Sequence, residues 1–330
     1  MADTKQKIIM NKNSKIYIAG HRGLVGGAIL RNLQSAGYTN LIMHTHDELD
    51  LLDQLAVNNF FEKEKPEYVF LAAAKVGGIG ANSTYPADFI YKNTMIGFNV
   101  IHAAYKNGVK KLINLGSSCI YPKLAPQPLK EEYLLSNLLE PTNEAYAVAK
   151  ISVIKLCTYY NRQYGTDYLS VMPTNLYGLG DNYDPDGSHV LPALIRKFHE
   201  AKVSGFDQVT LWGDGSPRRE FLFSDDLADA LIMLMQNNNA SDLSNSAGDF
   251  INIGSGKDLT IKELAEKIKD VVYEGLPNRT CNIEWDTSKP NGTPQKLLDI
   301  SRISALGFSP KVELTKGIEL AYKDFFNSCI

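Results

Sequence analysis

The fold this sequence predicts is α/β: a doubly wound parallel sheet of dinucleotide-binding type with a smaller, interleaved C-terminal lobe. Three observations carry that expectation. Short apolar runs alternate with segments of helical periodicity from Lys15 to Met172. The first run leads straight into the glycine-punctuated turn Gly20-His21-Arg22-Gly23-Leu24-Val25-Gly26. Beyond Gly178 the texture changes to polar loops between shorter elements. Strand and helix in alternation imply a parallel sheet covered on both faces.

Composition narrows the classes. A chain of 330 residues has room for one large α/β domain or two lobes with ample core. Its 44% hydrophobic and 22% charged content is ordinary for a globular protein. Net charge is −3 and there is no basic run, which argues against extended nucleic-acid binding. The segment from Met1 to Ser14 is polar and Lys-rich and lacks a signal-peptide core. No window offers the roughly 18 uncharged apolar residues of a membrane span. Cys119, Cys157, Cys281 and Cys329 are scattered without metal or disulfide spacing. A soluble cytoplasmic protein without a metal site is expected.

The elements follow in order. Lys15 to Ala19 reads as a strand, and an amphipathic helix runs from the glycine turn to about Ala36, stopped by Gly37. Glycines at such a turn let backbone N–H groups approach a pyrophosphate at the positive end of the helix. The spacing is Gly-x-x-Gly-x-x-Gly, and three glycines that merely make a tight turn are the plainer alternative. A second strand, Asn40 to Met43, ends at His44-Thr45-His46-Asp47, where a ribose hydroxyl or a 2′-phosphate would be read. A helix over Asp53 to Glu64 precedes the strand Tyr68 to Leu71, followed by Ala72-Ala73-Ala74-Lys75-Val76-Gly77-Gly78. A long helix from Pro86 to about Asn107 leads to a strand over Lys110 to Leu115. Tyr168 to Met172 is a fifth strand.

Later elements are a helix from Leu191 to Ala201, a strand at Gln208 to Trp212 and a turn at Gly213-Asp214-Gly215. Arg218-Arg219-Glu220-Phe221 opens a buried strand, followed by a helix from Asp225 to Met235 and a core strand at Ile251 to Gly254. Helices over Ile261 to Val272 and near Lys316 to Phe326 close the chain. The expected division places residues 1–175, with a returning segment near 220–254, in a dinucleotide-binding lobe. Residues 176–219 and 255–330 form the substrate lobe.

Chemistry concentrates between Leu112 and Lys150. A buried strand ends at Gly116-Ser117-Ser118-Cys119-Ile120-Tyr121-Pro122, and Tyr146-x-x-x-Lys150 follows on a helix. Spacing i, i+4 puts phenol and ammonium on one helix face. A cation that close is expected to favour phenolate, making a Tyr of ordinary pKa about 10 a usable acid and base near neutrality. A hydroxyl such as Ser117 at the strand's carboxyl end would share the substrate oxygen. With 17 tyrosines in the chain, about one Tyr-x-x-x-Lys pair arises by chance, so the glycine turn is the independent support.

Together these motifs resemble the extended short-chain dehydrogenase/reductase family that acts on nucleotide sugars. His21-Arg22-Gly23, Ala72 to Gly78, Gly116 to Lys123, Met172-Pro173-Thr174-Asn175-Leu176-Tyr177-Gly178 and Lys289-Pro290-Asn291-Gly292-Thr293-Pro294 narrow the match to its GDP-L-fucose synthase members, over roughly Lys15 to Phe326. That resemblance implies 3,5-epimerisation and then NADPH-dependent 4-reduction of GDP-4-dehydro-6-deoxy-D-mannose by a homodimer. It implies Tyr146 as proton donor, Lys150 on the nicotinamide ribose, Ser117 on the keto oxygen, and Cys119 with His189 as the epimerisation pair. It implies NADP contacts from Gly20, His21, Arg22, Gly23, Leu24, Val25, Gly26, His46, Leu115, Gly116, Ser117, Ser118, Lys150, Pro173, Thr174, Asn175 and Leu176. Substrate contacts are implied at His189, Lys197, Trp212, Arg219, Asn291 and Lys296. Asn291 stands where the family usually has Asp, and His44 and His46 stand where it tends to have Arg.

The chemical logic is independent of the resemblance. A 4-ketone acidifies the hydrogens on both neighbouring carbons, so enolate and alkoxide charge develop on one oxygen that Ser117 and Tyr146 can stabilise. Inversion takes a proton from one ring face and returns it to the other, for which Cys and His, with reference pKa values of about 8.5 and 6.5, are suited. Plainer readings exist: a buried small Cys, a solvated His, a core Trp212, and ordinary solvated charge at Arg196, Lys197, Arg218 and Arg219. A sister nucleotide-sugar epimerase or dehydratase would share fold, cofactor and Tyr146, and a dinucleotide sensor without turnover would have lost Tyr146 or Lys150.

Overall fold

A computed structural model gives the architecture over residues 10–185, 187–276, 281–289 and 291–328. Cys329, Asp186 in the polar loop and Pro290 of the Lys289 motif lie outside the described residues. The apolar runs become strands because a parallel sheet buries both faces of each. In β1 (Ile16–Ala19) all four residues are buried, and each Ile contributes about 1.5–3 kcal/mol by leaving water. Next come α1 (Leu24–Ser35) and the two-residue β2 (Leu41–Ile42). Helix α2 (Gln54–Glu64) starts where the Asp53 carboxylate accepts the Ala56 N–H. Strand β3 (Tyr68–Leu71) is fully buried. A short helix unforeseen in the sequence, α3 (Ile79–Thr84), precedes α4 (Pro86–Lys106), which has Pro in its first turn. Then come β4 (Lys111–Leu115), α5 (Glu144–Tyr164) and β5 (Tyr168–Pro173).

After β5 the chain leaves this sheet. It forms β6 (Asn175–Tyr177), α6 (Val190–Ser204), β7 (Gln208–Trp212), β8 (Arg218–Phe223) and α7 (Ser224–Asn237). It returns as β9 (Phe250–Ile253) and leaves again through β10 (Asp258–Thr260). Helix α8 (Ile261–Val272) begins with a capping box between Thr260 and Glu263. The last elements are β11 (Asn282–Asp286), β12 (Gln295–Lys296), α9 (Ser301–Ala305) and α10 (Leu314–Ser328).

The main sheet is six-stranded and parallel throughout, in the order β2-β1-β3-β4-β5-β9. Strand order reverses between β1 and β3, so the glycine turn after β1 stands at the switch point where such sheets bind ligands. Helices α1 and α7 pack one face, and α2, α4 and α5 the other. Gly97 lets α4 approach α5: a Cβ there would lie 2.4 Å from Val153 Cγ2. A smaller sheet runs β10-β8-β12, with β6 also on β8, and β7 pairs β11 separately. Its core joins Tyr177, Phe221 and Phe223 to α6, α8 and α10. No helix among the described residues is long and apolar enough to cross a membrane.

Candidate active site

The glycine turn is built for close approach. Gly20 has φ +85°, and a Cβ there would lie 2.8 Å from Ala73 N. A Cβ at Gly26 would lie 2.1 Å from Gly20 O, so the helix can pack on the strand only with glycine. Gly23 caps α1 without a side chain, and no acidic residue occupies the first turn. The amides of Leu24 and Val25 therefore face outward at the positive end of the helix, a cradle that fits a dinucleotide's diphosphate. His21 Nδ1 is buried without a partner. Burial first, then the Arg22 charge, lower the His21 pKa.

Adenosine-side residues differ in orientation. Arg22 is exposed at the turn. His46 is also exposed, with Nδ1 3.7 Å from Asp50 Oδ1. His44 instead packs edge-on against Phe60 at 5.1 Å and has its Nδ1 buried. It is a packing residue as much as a polar one. Glu48, which the sequence reading passed over, accepts the Thr45 N–H at 2.7 Å and interacts electrostatically with His44, His21 and Arg22.

The catalytic candidates converge at the carboxyl end of β4. Met172 packs closely over Gly116, where a Cβ would lie 2.4 Å from its Cε and 3.0 Å from Val171 O. Ser117 then caps a short 3-10 turn, Ser118–Ile120. Its Oγ accepts from the Cys119 N–H at 3.4 Å and from the Cys119 Sγ at 3.1 Å. Tyr146 sits in the first turn of α5, edge-on to Phe89 at 6.1 Å. Lys150 follows one turn on, donating from Nζ to Leu115 O at 2.8 Å and lying 5.7 Å from the Tyr146 ring centroid. Structure thus brings Leu115, Ser117, Cys119, Tyr146 and Lys150 together.

Electrostatics here depart from the sequence expectation. Burial pushes the Tyr146 phenol well above its ordinary range, Cys119 adds to the rise, and the Ser117 hydrogen bond opposes it. The residue as a whole is only partly buried, so it is the hydroxyl end that is enclosed. Lys150 is lowered to about 8 by burial. Desolvation is the largest cause for both groups, and it favours the protonated phenol over phenolate. Burial also raises the Cys119 thiol, against the opposing charges of Lys296 and Lys150 and the Ser117 hydrogen bond.

The smaller lobe supplies the cations. Register places Lys296 of β12 beside Arg219 of β8. Burial lowers both, and the Lys296 charge reaches Cys119. Of the four cations left open by sequence, Arg218 pairs with Asp258 at 2.8 Å and Arg196 with Glu200 at 2.6 Å. Lys197 and Arg219 donate instead to backbone carbonyls, of Thr210 at 2.9 Å and Arg218 at 2.8 Å. Trp212 is 64% exposed, with Lys289 Nζ 5.5 Å from its ring centroid, which removes it from the core.

Asn291 clasps the neighbouring turn. Its Oδ1 accepts the Asp214 N–H at 3.0 Å and stands where a Cβ of Gly213 would be. His189 caps α6, and desolvation lowers its pKa although the residue has an exposed side. The adjoining Ser188 carbonyl lies over Gly78, and Gly77 abuts Phe89, which touches Tyr146. Thr174 Oγ1 and Asn175 Nδ2 both donate to Glu220 O, at 3.2 and 2.8 Å. Pro173 ends β5, and Leu176 pairs with Leu222. Besides Glu48, two buried polar residues escaped sequence reasoning. Asn93 is buried and fastens the Lys75 backbone through both its N–H and its carbonyl. Glu220 is fully buried within β8. The start of an apolar run immediately after Arg218-Arg219-Glu220 was the available signal for Glu220.

Comparison with known proteins places this geometry. A model of the NAD dependent epimerase/dehydratase family matches residues 16–254. GDP-L-fucose synthase 1 of Arabidopsis thaliana is 57% identical over 313 residues, covering 94% of this chain and 93% of that protein. Among solved structures, a GDP-mannoheptose C4 reductase from Campylobacter jejuni with NADP bound has TM-score 0.86 and 43% identity, covering 96% of this chain and 99% of that one. A GDP-L-fucose synthetase from Naegleria fowleri bound to NADP has TM-score 0.87 and 29% identity, covering 99% and 96%. The chain belongs to the NAD dependent epimerase/dehydratase family and, within it, to the GDP-L-fucose synthases.

Proposed function

We propose that this chain converts GDP-4-dehydro-6-deoxy-D-mannose to GDP-L-fucose by epimerising carbons 3 and 5 and then reducing carbon 4 with NADPH. The observation that carries it is the meeting of Ser117, Cys119, Tyr146 and Lys150 with Lys296 at one strand end. Family membership and the NADP held by two solved relatives support the same cofactor here. The outward amides of α1 hold its diphosphate, Arg22 and His46 face its 2′-phosphate, and the segment Pro173 to Leu176 flanks its nicotinamide end. We divide the chain accordingly, with residues 1–175 and the returning 220–254 carrying the cofactor. Residues 176–219 and 255–330 carry the GDP-sugar.

In the mechanism, Ser117 and Tyr146 hydrogen-bond the C4 oxygen. Those hydrogen bonds stabilise the enolate charge that the C4 oxygen takes on, which makes the hydrogens at C3 and C5 acidic, and Cys119 and His189 take and return the protons on opposite ring faces. Lys296 and Lys150 supply positive charge beside the buried thiol, favouring its thiolate when a proton must leave. When bound, NADPH supplies a hydride to C4. The high pKa of Tyr146 keeps its proton in place until the C4 oxygen becomes alkoxide, the stronger base that takes it. Lys197, Arg219 and Lys296 neutralise the diphosphate, Trp212 stacks on the guanine, and Asn291 holds the Gly213–Asp214 turn beside it.

The chain is proposed to be a cytoplasmic homodimer. Cys119, Cys157 and Cys281 are free and buried, in keeping with a reducing compartment. Tyr91, Phe98, Val148 and Tyr159 expose apolar surface on α4 and α5, a face suited to the two-fold contact.

One experiment tests the reaction and separates it from plain C4 reduction. In deuterated water without NADPH, the enzyme is expected to exchange the sugar hydrogens at C3 and C5. Cys119→Ser and His189→Asn each suppress that exchange or the inversion that follows, while NADP binding persists. Unchanged incorporation in both variants removes the epimerase assignment and leaves a C4 reductase. Absence of turnover with NADPH in the wild type removes the whole reading.

A further inference from the structure

Among the described residues, Glu220 is the buried carboxylate that joins the two proposed ligand sites, and the mechanism above gives it no part. It lies within β8 at 0% exposure, next to Arg219 in sequence. Successive strand residues point to opposite faces, so the glutamate turns away from its neighbour's site. One carboxylate oxygen accepts the Gly256 N–H at 2.6 Å and the other the Leu298 N–H at 3.0 Å. Gly256 follows β9 of the cofactor sheet, and Leu298 is two residues beyond Lys296. The carbonyl of Glu220 accepts from Thr174 Oγ1 at 3.2 Å and Asn175 Nδ2 at 2.8 Å. One residue thus receives hydrogen bonds from the cofactor segment, the loop that follows the main sheet's last strand and the segment just after the strand that bears Lys296.

The surroundings are shaped to this carboxylate. A Cβ at Gly254 would stand 2.2 Å from Glu220 Oε1, so the main sheet ends in a glycine that admits it. Cohesion alone does not call for a buried carboxylate, because desolvating one is expensive and an apolar side chain would fill the same space. What a carboxylate offers is acceptors on both oxygens, matching two backbone donors that face it from different segments. An amide of the same shape turns an NH₂ toward one of those donors.

We propose that Glu220 is a positioning residue that sets the substrate cations Arg219 and Lys296 against the cofactor segment Thr174–Asn175, so that one substitution there weakens both ligands. The proposal rests on the functional reading above, which assigns GDP to the first pair and NADP to the second.

The test is calorimetric titration of GDP, and separately of NADP⁺, into the full-length wild type and Glu220→Gln, with thermal unfolding of each. Both dissociation constants are expected to rise at least fivefold in the variant while the binding stoichiometry holds. A purely structural defect lowers stoichiometry and melting temperature and leaves the constants of the folded fraction alone. Arg219→Ala serves as contrast and weakens GDP only. Constants within twofold of wild type for either ligand in Glu220→Gln overturn the proposal. Should that variant fail to fold, Thr174→Val removes one hydrogen bond to the same residue from the cofactor side. It is expected to weaken GDP at least threefold, and unchanged GDP affinity overturns the proposal. A wild type that binds neither ligand overturns the functional reading and this inference with it, whereas a wild type that binds both beside an unaffected variant overturns this inference alone.

Discussion

Replacing Lys150 with Met is expected to abolish turnover and yet make the unliganded protein more stable at neutral pH. The ammonium is 7% exposed and is lowered to about 8 by burial. An unfolded chain would hold that proton to about 10.4, and the gap corresponds to about 3 kcal/mol of cost to the folded state. Met removes that cost but forfeits a charge-assisted bond to Leu115 O, worth about 1.5 kcal/mol. The net gain is about 1.5 kcal/mol, or about 2 °C for a chain of this length at about 2.1 cal/mol/K per residue. Below pH 8 both folded and unfolded wild type carry the proton, so the full cost is in place. Between about 8 and 10.4 the unfolded chain holds a proton that the folded chain has shed, so wild-type stability rises with pH. The advantage of Lys150→Met therefore shrinks across that window and is largely gone by pH 10. Urea unfolding of both unliganded proteins at pH 7, 8.5 and 10 measures it, since titrating groups distant from Lys150 cancel in the difference. A variant less stable than wild type at pH 7, or a difference that does not move with pH, refutes the reasoning.

Two further outcomes follow from the same site. Tyr146→Phe keeps the ring against Phe89 and removes the proton, so turnover is expected to fall by about 10²- to 10⁴-fold with NADPH affinity retained. Near-wild-type turnover returns proton donation to another group. Arg22→Ala removes the exposed cation of the glycine turn, and the preference for NADPH over NADH is expected to drop about tenfold, as for a lost charge-assisted contact. An unchanged ratio of the two kcat/KM values assigns discrimination to His46 or another neighbour.

Legibility of the fold tracked how much of each element is specified locally. Strands β1 and β3 were readable because every residue in them is buried, so each run is apolar throughout, whereas β4 buries Lys111 and Asn114 beside its apolar residues. Helix α8 was readable to the residue because its capping box and its apolar stripe are both local patterns. The two- and three-residue strands β6, β10 and β12 carry no period of their own. Each exists because β8 offers it backbone hydrogen bonds, a partner tens of residues away. Among the cations, residue type alone left Arg196, Lys197, Arg218 and Arg219 equivalent. Only the placement of Glu200 and Asp258 commits the first and third to ion pairs.

By itself the sequence determined the sheet's alternation, the glycine turn, the Tyr146–Lys150 helix face and the set of residue types available for the chemistry. These depend on contacts within a few residues: backbone torsion at glycine, the 3.6-residue turn of a helix, and the burial pattern of a strand. Tertiary structure alone decided the protonation of that set. Sequence spacing suggested that Lys150 would draw Tyr146 toward phenolate, whereas the assembled fold encloses both groups and raises one while lowering the other. It also decided that Glu220 would receive hydrogen bonds from Thr174, Asn175, Gly256 and Leu298 and that Lys296 would stand beside Cys119, 177 positions earlier in the chain. Desolvation and charge are sums over everything packed nearby, and a linear chain does not reveal its neighbours until it has folded.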